Sequence, residues 1–273
     1  MDSENGYVRK YGIVIFLDVL GVKNMETEDF IHRFDRCLKE YFEYLNRRIA
    51  KSHDDSRIRI VGNMDDVGIF GDTVIIPIEI NQKHIFFNIH HFSLTHHVII
   101  RFGLKEGLFF NGVISAGEYF VNEKGYGIIG PAINEAVDYY NKIRWGGLIF
   151  SNYAGSEYSK MVLEKQTDPN YINVEQKFIF KYDVPLKSGK NECLWAIGWP
   201  LFYHIANRSS QDRIVQARNE FIEHLEKVKE LCHPDANAQP IFDNTIQFYD
   251  FYCDNYKDFI EYSVGRYGKQ QFM

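Results

Sequence analysis

Two short apolar runs, each of which stops at an aspartate, constrain this chain more than any other feature. Residues 11–17 read YGIVIFL and lead straight into Asp18. Val67–Phe70 leads into Gly71-Asp72, after which Thr73–Ile78 is apolar again. Runs of this length, rich in β-branched residues, read as buried strands, and two of them flanking Gly-Asp predict a hairpin with a carboxylate at its tip. A carboxylate at the end of a buried strand sits at the rim of a sheet, held by a rigid scaffold and open to a ligand. If the two strands are neighbours, Asp18 and Asp72 converge within reach of shared hard cations. Oxygen donors with no adjacent Cys or His set favour Mg²⁺ or Mn²⁺. Two such ions can activate an attacking oxygen and stabilise a leaving one. The backbone of Val19, Leu20 and Gly21 would then offer N–H groups to phosphate, with Gly21 permitting close approach. The plainer alternative is that Asp18 caps a turn and Gly71-Asp72 merely makes one.

The rest of the chain alternates helix and strand. Phe30, Phe34, Cys37, Leu38, Tyr41, Phe42 and Leu45 fall on one helical face, with Thr27 as the expected N-cap. A polar loop around Ser52–Ser56 leads on to Ile58–Val61; a helix is expected at His84–Ile99, and a strand pair at Leu108–Ala116 and Glu118–Val121. A helix is expected over Asn134–Arg144, then strands at Leu148–Ser151, Phe178–Val184 and Cys193–Ile197. Past Pro200 the pattern turns helical, with Asp212–Cys232 and an aromatic helix over Asp243–Phe259. The expected organisation is an α+β domain over residues 8–200 with a C-terminal helical extension over 201–273.

Composition narrows the function classes. A formal charge of −6 argues against a general nucleic-acid binder, which needs clustered Lys and Arg. Cys37, Cys193, Cys232 and Cys253 lie far apart with no CxxC pair, as free thiols of a reducing compartment do. The polar start MDSENGYVRKYG does not read as a signal peptide, and no run approaches a membrane span. A soluble, cytoplasmic protein with no membrane partner is expected.

The order strand–Asp–helix–hairpin with Gly-Asp, then a strand pair, then GPAINEA, resembles the class III adenylate and guanylate cyclase domain, over roughly residues 11–198. Phe16, Asp18, Val19 and Gly21 match its F-x-D-[IV]-x-G-F stretch, and Gly71 and Asp72 match its G-D hairpin. Asn111–Gly117 resembles the R-x-G-[IV]-H-x-G strand without its Arg and His, and Gly130–Ala136 is similar to G-x-x-V-N-x-A. The resemblance implies a ferredoxin-like α+β sheet and a homodimer whose sites form between two chains. It further implies two divalent cations, Mn²⁺ or Mg²⁺, held by Asp18, the Val19 backbone and Asp72. Asn134 falls on the family's transition-state Asn, and Lys187 on its phosphate-binding Lys near V-K-G-x, with Lys190 close by.

The departures bear on substrate. Purine cyclases carry an Arg four residues after the Asn; here that position is Asp138, and Arg144 further along is the expected substitute cation. Gly68 and Gly127 occupy the positions where purine cyclases read the base, and a glycine reads no base edge with its side chain. With GPAINEA and the IGWP segment, this profile resembles the pyrimidine cyclases of bacterial Pycsar antiphage systems. That resemblance implies a substrate of UTP or CTP, UTP favoured, and a cyclic nucleotide product read by a separate effector. Tyr126 is expected to narrow the pocket towards a one-ring base. His84, His90, His91, His96 and His97 cluster without further fixed ligands, and Asp65-Asp66 reads as a turn. The stripe Phe248, Phe251, Tyr252, Tyr256, Phe259 is expected in core or dimer packing.

Overall fold

Residues 13–17, the apolar run before Asp18, are all buried, because helices cover the sheet on both faces. They form the middle of a longer strand, β1 (Tyr7–Val19), which pairs antiparallel with β3 (Thr73–Glu79) on one side and with β4 (Phe110–Asn122) on the other. This computed structural model describes residues 6–52, 67–79, 98–122, 124, 127–165, 177–206 and 212–267. The remaining strands are β2 (Gly68–Phe70), β5 (Ile128–Ile129), β6 (Leu148–Phe150), β7 (Ile179–Pro185) and β8 (Asn191–Ile197). They make one mixed sheet in the order β2-β3-β1-β4-β6-β8-β7, with β5 paired to β4. The α+β expectation and the hairpin at Gly71-Asp72 both hold. Pro77 is tolerated inside β3 because β2 covers only Thr73–Ile75 on that side, so no donor is missed there.

Helices α3 (Pro131–Lys142) and α4 (Asn152–Lys165) lie on the face of Phe16 and Trp195, where Tyr140 meets Phe16 and Tyr158 meets Trp195. The opposite face carries α1 (Thr27–Ser52), α2 (Val98–Glu106), α6 (Arg213–Cys232) and α7 (Gln239–Asn255). There Phe34 stacks on Phe110, and Phe248 stacks on Phe180 with ring planes 5° apart. The predicted face of α1 is the one that packs: Phe30, Phe34, Cys37, Leu38, Tyr41 and Leu45 are buried. Two short helices complete the described chain, α5 (Leu201–Ala206) and α8 (Lys257–Tyr267).

Four expectations are corrected. Thr27 is the first helical residue, not the cap; the Glu26 carboxylate accepts from the Asp29 N–H and closes the first turn. The strand pair around Gly117 is one strand, because Gly117 stands opposite Gly12 in an unbroken ladder with β1. At Gly12 an added Cβ would lie 1.9 Å from the Ile78 carbonyl oxygen, so only glycine lets three strands pass there. The aromatic C-terminal helix is two helices, broken at Tyr256. The helix expected to reach Arg144 ends at Lys142, where Ile143 turns extended.

The helical extension past residue 200 shares the hydrophobic core of the sheet. Phe248 packs against Trp145, Phe180 and Trp199, and Tyr252 donates to the Lys177 carbonyl. The aromatic stripe is therefore core. All four cysteines are free, and no helix among the described residues is long and apolar enough to cross a membrane. Residues 58–61, residues 84–97 of the expected helix with the five histidines, Asp65-Asp66 and Tyr126 lie outside the described residues.

Candidate functional site

The pairing of β1 with β3 sets Asp18 opposite Thr73, and so places Asp72, the last residue of the hairpin turn, beside Asp18. The Val19 N–H donates to the Asp72 carbonyl at 3.2 Å and closes the two strand ends on each other. Both oxygens of the Asp18 carboxylate are held: Thr73 Oγ1 donates to Oδ1 at 2.6 Å, and the Tyr140 hydroxyl donates to Oδ2. Burial pushes the Asp18 carboxyl above the ordinary carboxylate range, and the Asp72 charge adds to this. The two hydrogen bonds and the Lys187 ammonium pull in the other direction. Tyr140 is pushed up by its own burial and by the Asp18 charge, so it is a neutral donor. The ammonium of Lys187 lies 5.7 Å from the Tyr140 ring centre.

A third polar side chain stands in the same row. Asn111 is opposite Asp18 in the β1–β4 ladder, which places its Cβ about 5 Å away on the same face of the sheet. It is 2 % exposed, and among the described residues its Oδ1 has no hydrogen-bond partner. An orphaned buried acceptor costs about 1–3 kcal/mol unless something outside the chain satisfies it. The donor set is therefore two carboxylates and an amide oxygen, all hard oxygens. Among the described residues no group of three or more His, Cys, Asp and Glu side chains could hold a metal ion. Such a set fits Mg²⁺ or Mn²⁺, which keep waters and bind substrate phosphates, and does not fit a zinc cage.

The other expected site residues fall in several places. Val19 and Leu20 spend their N–H groups on the carbonyls of Asp72 and Phe109, so these two are not available to phosphate. Gly21 adopts φ +80° ahead of the short 3-10 turn Val22–Asn24, and an added Cβ would lie 2.5 Å from Cys232 Cβ. Its glycine is required by α6 packing on that turn. A Cβ on Gly68 would lie 2.9 Å from Phe70 Cε2 and 3.3 Å from Ile128 Cδ1, so the Ile128 side chain reaches β2. A Cβ on Gly127 would meet nothing nearer than the Tyr7 hydroxyl, at 4.0 Å.

Asn134 is exposed on α3, as is Asp138 one turn later. Arg144 lies beyond the helix; its N–H donates to the Pro185 carbonyl, and its guanidinium donates to the Asn237 carbonyl at 3.1 Å. It is tied to the loop before α7 and not to the carboxylates. Lys187 is the cation that the fold brings to Asp18, because its N–H donates to the Lys142 carbonyl and fastens the β7–β8 turn to the end of α3. Lys190 closes that turn, its carbonyl accepting from Leu186.

Sequence reasoning missed Thr73, Asn111 and Tyr140. Thr73 and Asn111 could have been found from strand register, since each faces Asp18 across a ladder. Nothing in the sequence points Tyr140 at Asp18, because that contact depends on how α3 crosses the sheet. Elsewhere, a groove of about 250 Å³ between α4 and the β7–β8 pair is lined by Ser156, Ser159, Lys181 and Trp195 among others, and includes none of the expected site residues. Its indole already donates to Ser159 Oγ at 2.8 Å.

No protein-family model matches the chain, and no curated protein matches it. Among solved structures, the catalytic core of a rhodopsin-guanylyl cyclase with converted specificity, in complex with ATPalphaS, is similar over 71 % of this chain and 98 % of that one. Its identity is 12 % and its TM-score 0.43. The guanylyl cyclase Cya2 is similar over 70 % of this chain and 93 % of its own, at 14 % identity and a TM-score of 0.39. At such TM-scores the likeness assigns neither family nor chemistry to this chain.

Proposed function

We propose that this chain is a metal-dependent nucleotide cyclase that converts a pyrimidine nucleoside triphosphate, UTP ahead of CTP, to its 3′,5′-cyclic monophosphate and pyrophosphate. The observation that carries the reading is the meeting of Asp18 and Asp72 at paired strand ends, with the orphaned Asn111 oxygen in the same row. Two divalent cations held there by Asp18, Asp72 and the Val19 backbone would supply charge stabilisation to the triphosphate. Lys187, whose charge acts on Asp18, would add a positive charge beside the phosphates. The ribose 3′-oxygen attacks the α-phosphorus, and the bond to the β-phosphate oxygen breaks as pyrophosphate leaves. Asn134 is exposed and so open to a second copy; the active species in this reading is a homodimer with two shared sites.

Gly68 and Gly127 support a pyrimidine base. Neither position has a side chain to bond a purine edge, and the side chain of Ile128, next to Gly127, reaches Gly68. Selectivity among bases is a difference of affinities, and a site that lacks the purine contacts loses the usual source of it. In this reading the cyclic nucleotide is a signal in antiphage defence, read by a separate effector.

A second reading, a nucleotide sensor without turnover, is favoured by one observation: Asp138 stands where a phosphate-binding Arg would be, and Arg144 is occupied by Asn237. One experiment separates them. The purified protein is incubated with all four NTPs at equal concentration and Mn²⁺, and the products are identified by mass spectrometry. Cyclic UMP or cyclic CMP as the main product, lost in Asp18→Ala and in Asp72→Ala, is expected. Cyclic AMP or cyclic GMP as the main product would refute the pyrimidine reading alone. No cyclic product from any NTP, with binding retained, would favour the sensor.

A further inference from the structure

We propose that Tyr140 is a positioning residue for Asp18, fixing the orientation in which that carboxylate meets a divalent cation; the inference rests on the two-metal reading above. A carboxylate has about four lone-pair sites. Thr73 Oγ1 takes one on Oδ1 and the Tyr140 hydroxyl takes one on Oδ2, so the plane of the group is set and one site on each oxygen stays open. Without such a clamp the side chain is free to swing away from Asp72, whose like charge repels it.

The phenol is placed by the scaffold and not by the carboxylate. Its ring packs against Phe16 with centroids 5.3 Å apart, and the Lys187 ammonium lies over the ring, 5.7 Å from its centre. Helix α3, which carries it, is pinned at both ends. Ser115 Oγ donates to the Ala132 carbonyl at 2.6 Å near the start, and the Lys187 N–H donates to the Lys142 carbonyl at 2.7 Å at the finish. The hydroxyl position is therefore fixed before Asp18 is considered. Groups that hydrogen-bond a metal-ligating carboxylate typically account for about 10–100-fold in metal affinity.

The test is Mn²⁺ affinity without nucleotide, measured by electron paramagnetic resonance titration of the full chain, for wild type, Tyr140→Phe and Asp18→Asn. Tyr140→Phe keeps the ring and its packing and removes only the donor, and a thermal melt checks that the fold survives. Binding about tenfold weaker in Tyr140→Phe, with Asp18→Asn losing it altogether and the melting temperature of Tyr140→Phe little moved, is expected. A purely structural Tyr140 would move the melting temperature and leave the affinity alone. If Tyr140→Phe binds Mn²⁺ within twofold of wild type while Asp18→Asn has lost it, the positioning role is overturned and the two-metal reading stands. If Asp18→Asn binds as wild type does, the two-metal reading falls and takes this inference with it.

Discussion

His204 sits in α5 with no exposed surface, its Nε2 3.2 Å from Cys253 Sγ and 3.5 Å from the Tyr249 hydroxyl, and its Nδ1 without a partner among the described residues. Burial, with the nearby Arg213 charge adding to it, lowers its pKa from 6.5 to about 4. The folded state therefore resists protonation that the unfolded chain accepts. Above pH 6.5 both states hold a neutral imidazole and the group contributes nothing to the pH dependence. As the pH falls from 6.5 towards 4 the unfolded state gains a proton first, and stability is lost across that window. The gap of about 2.5 units corresponds to about 3 kcal/mol in full, of which about 2 kcal/mol is gone by pH 5. That is a large share of the 5–15 kcal/mol typical of a folded protein. The Cys253 thiol, pushed up to about 12 by burial, stays neutral throughout and supplies no compensating charge. The assay is urea unfolding at fixed protein concentration at pH 7.5 and 5.0, for wild type and for His204→Phe, which keeps an aromatic ring beside Tyr249. Wild type should lose about 2 kcal/mol more than the variant over that interval. Parallel losses in the two proteins would refute the argument.

Mixing an Asp72→Ala chain with an Asn134→Ala chain should restore part of the activity that each lacks, because one of the two shared sites in the mixed dimer is whole. Product formation no greater than the sum of the parents, with subunit exchange demonstrated, would rule out sharing. Lys187→Ala should lower kcat/KM by about 10²-fold or more, as loss of a phosphate-stabilising donor does. Arg144→Ala should leave kcat within a few-fold of wild type, since its guanidinium is bonded to Asn237. The reverse ranking would show that Arg144 leaves Asn237 to act on phosphate.

Much of the strand layout was legible because burial on both faces writes a strand as a continuous apolar run, and 13–17 and 74–78 are such runs. The hairpin was legible for a local reason, the Gly-Asp turn. What failed was set by distant partners. Gly117 reads as a break in the sequence, yet it continues a strand because Gly12 stands opposite it. Arg144 follows a helical pattern, yet the helix stops before it because its backbone N–H is claimed by Pro185. Gly21 reads as room for phosphate, and its nearest neighbour is Cys232, a residue more than two hundred positions later. Tyr140 carries no local mark at all, since its contact to Asp18 depends on the crossing of α3 over β1.

Under the proposed function, helix α3 bears on whether one chain can complete the site. Tyr140 follows Asn134 by six residues, and at about 100° and 1.5 Å per residue the two side chains leave the helix about 120° apart and about 9 Å apart along its axis. Tyr140 faces the sheet and bonds Asp18, and Ile133, Ala136 and Tyr139 fill the core beside it. Asn134, Asp138 and Asn141 share the outward face, at intervals of four and three, and all three are exposed. Turning the helix to bring Asn134 to Asp18 would expose that core face and break the Ser115 and Lys187 contacts that pin it. Asn134 therefore cannot reach the carboxylates of its own chain while the fold is intact. If Asn134 acts at an Asp18–Asp72 site at all, the site belongs to another copy, and the same helix then holds one carboxylate in place with Tyr140 while serving its partner with Asn134.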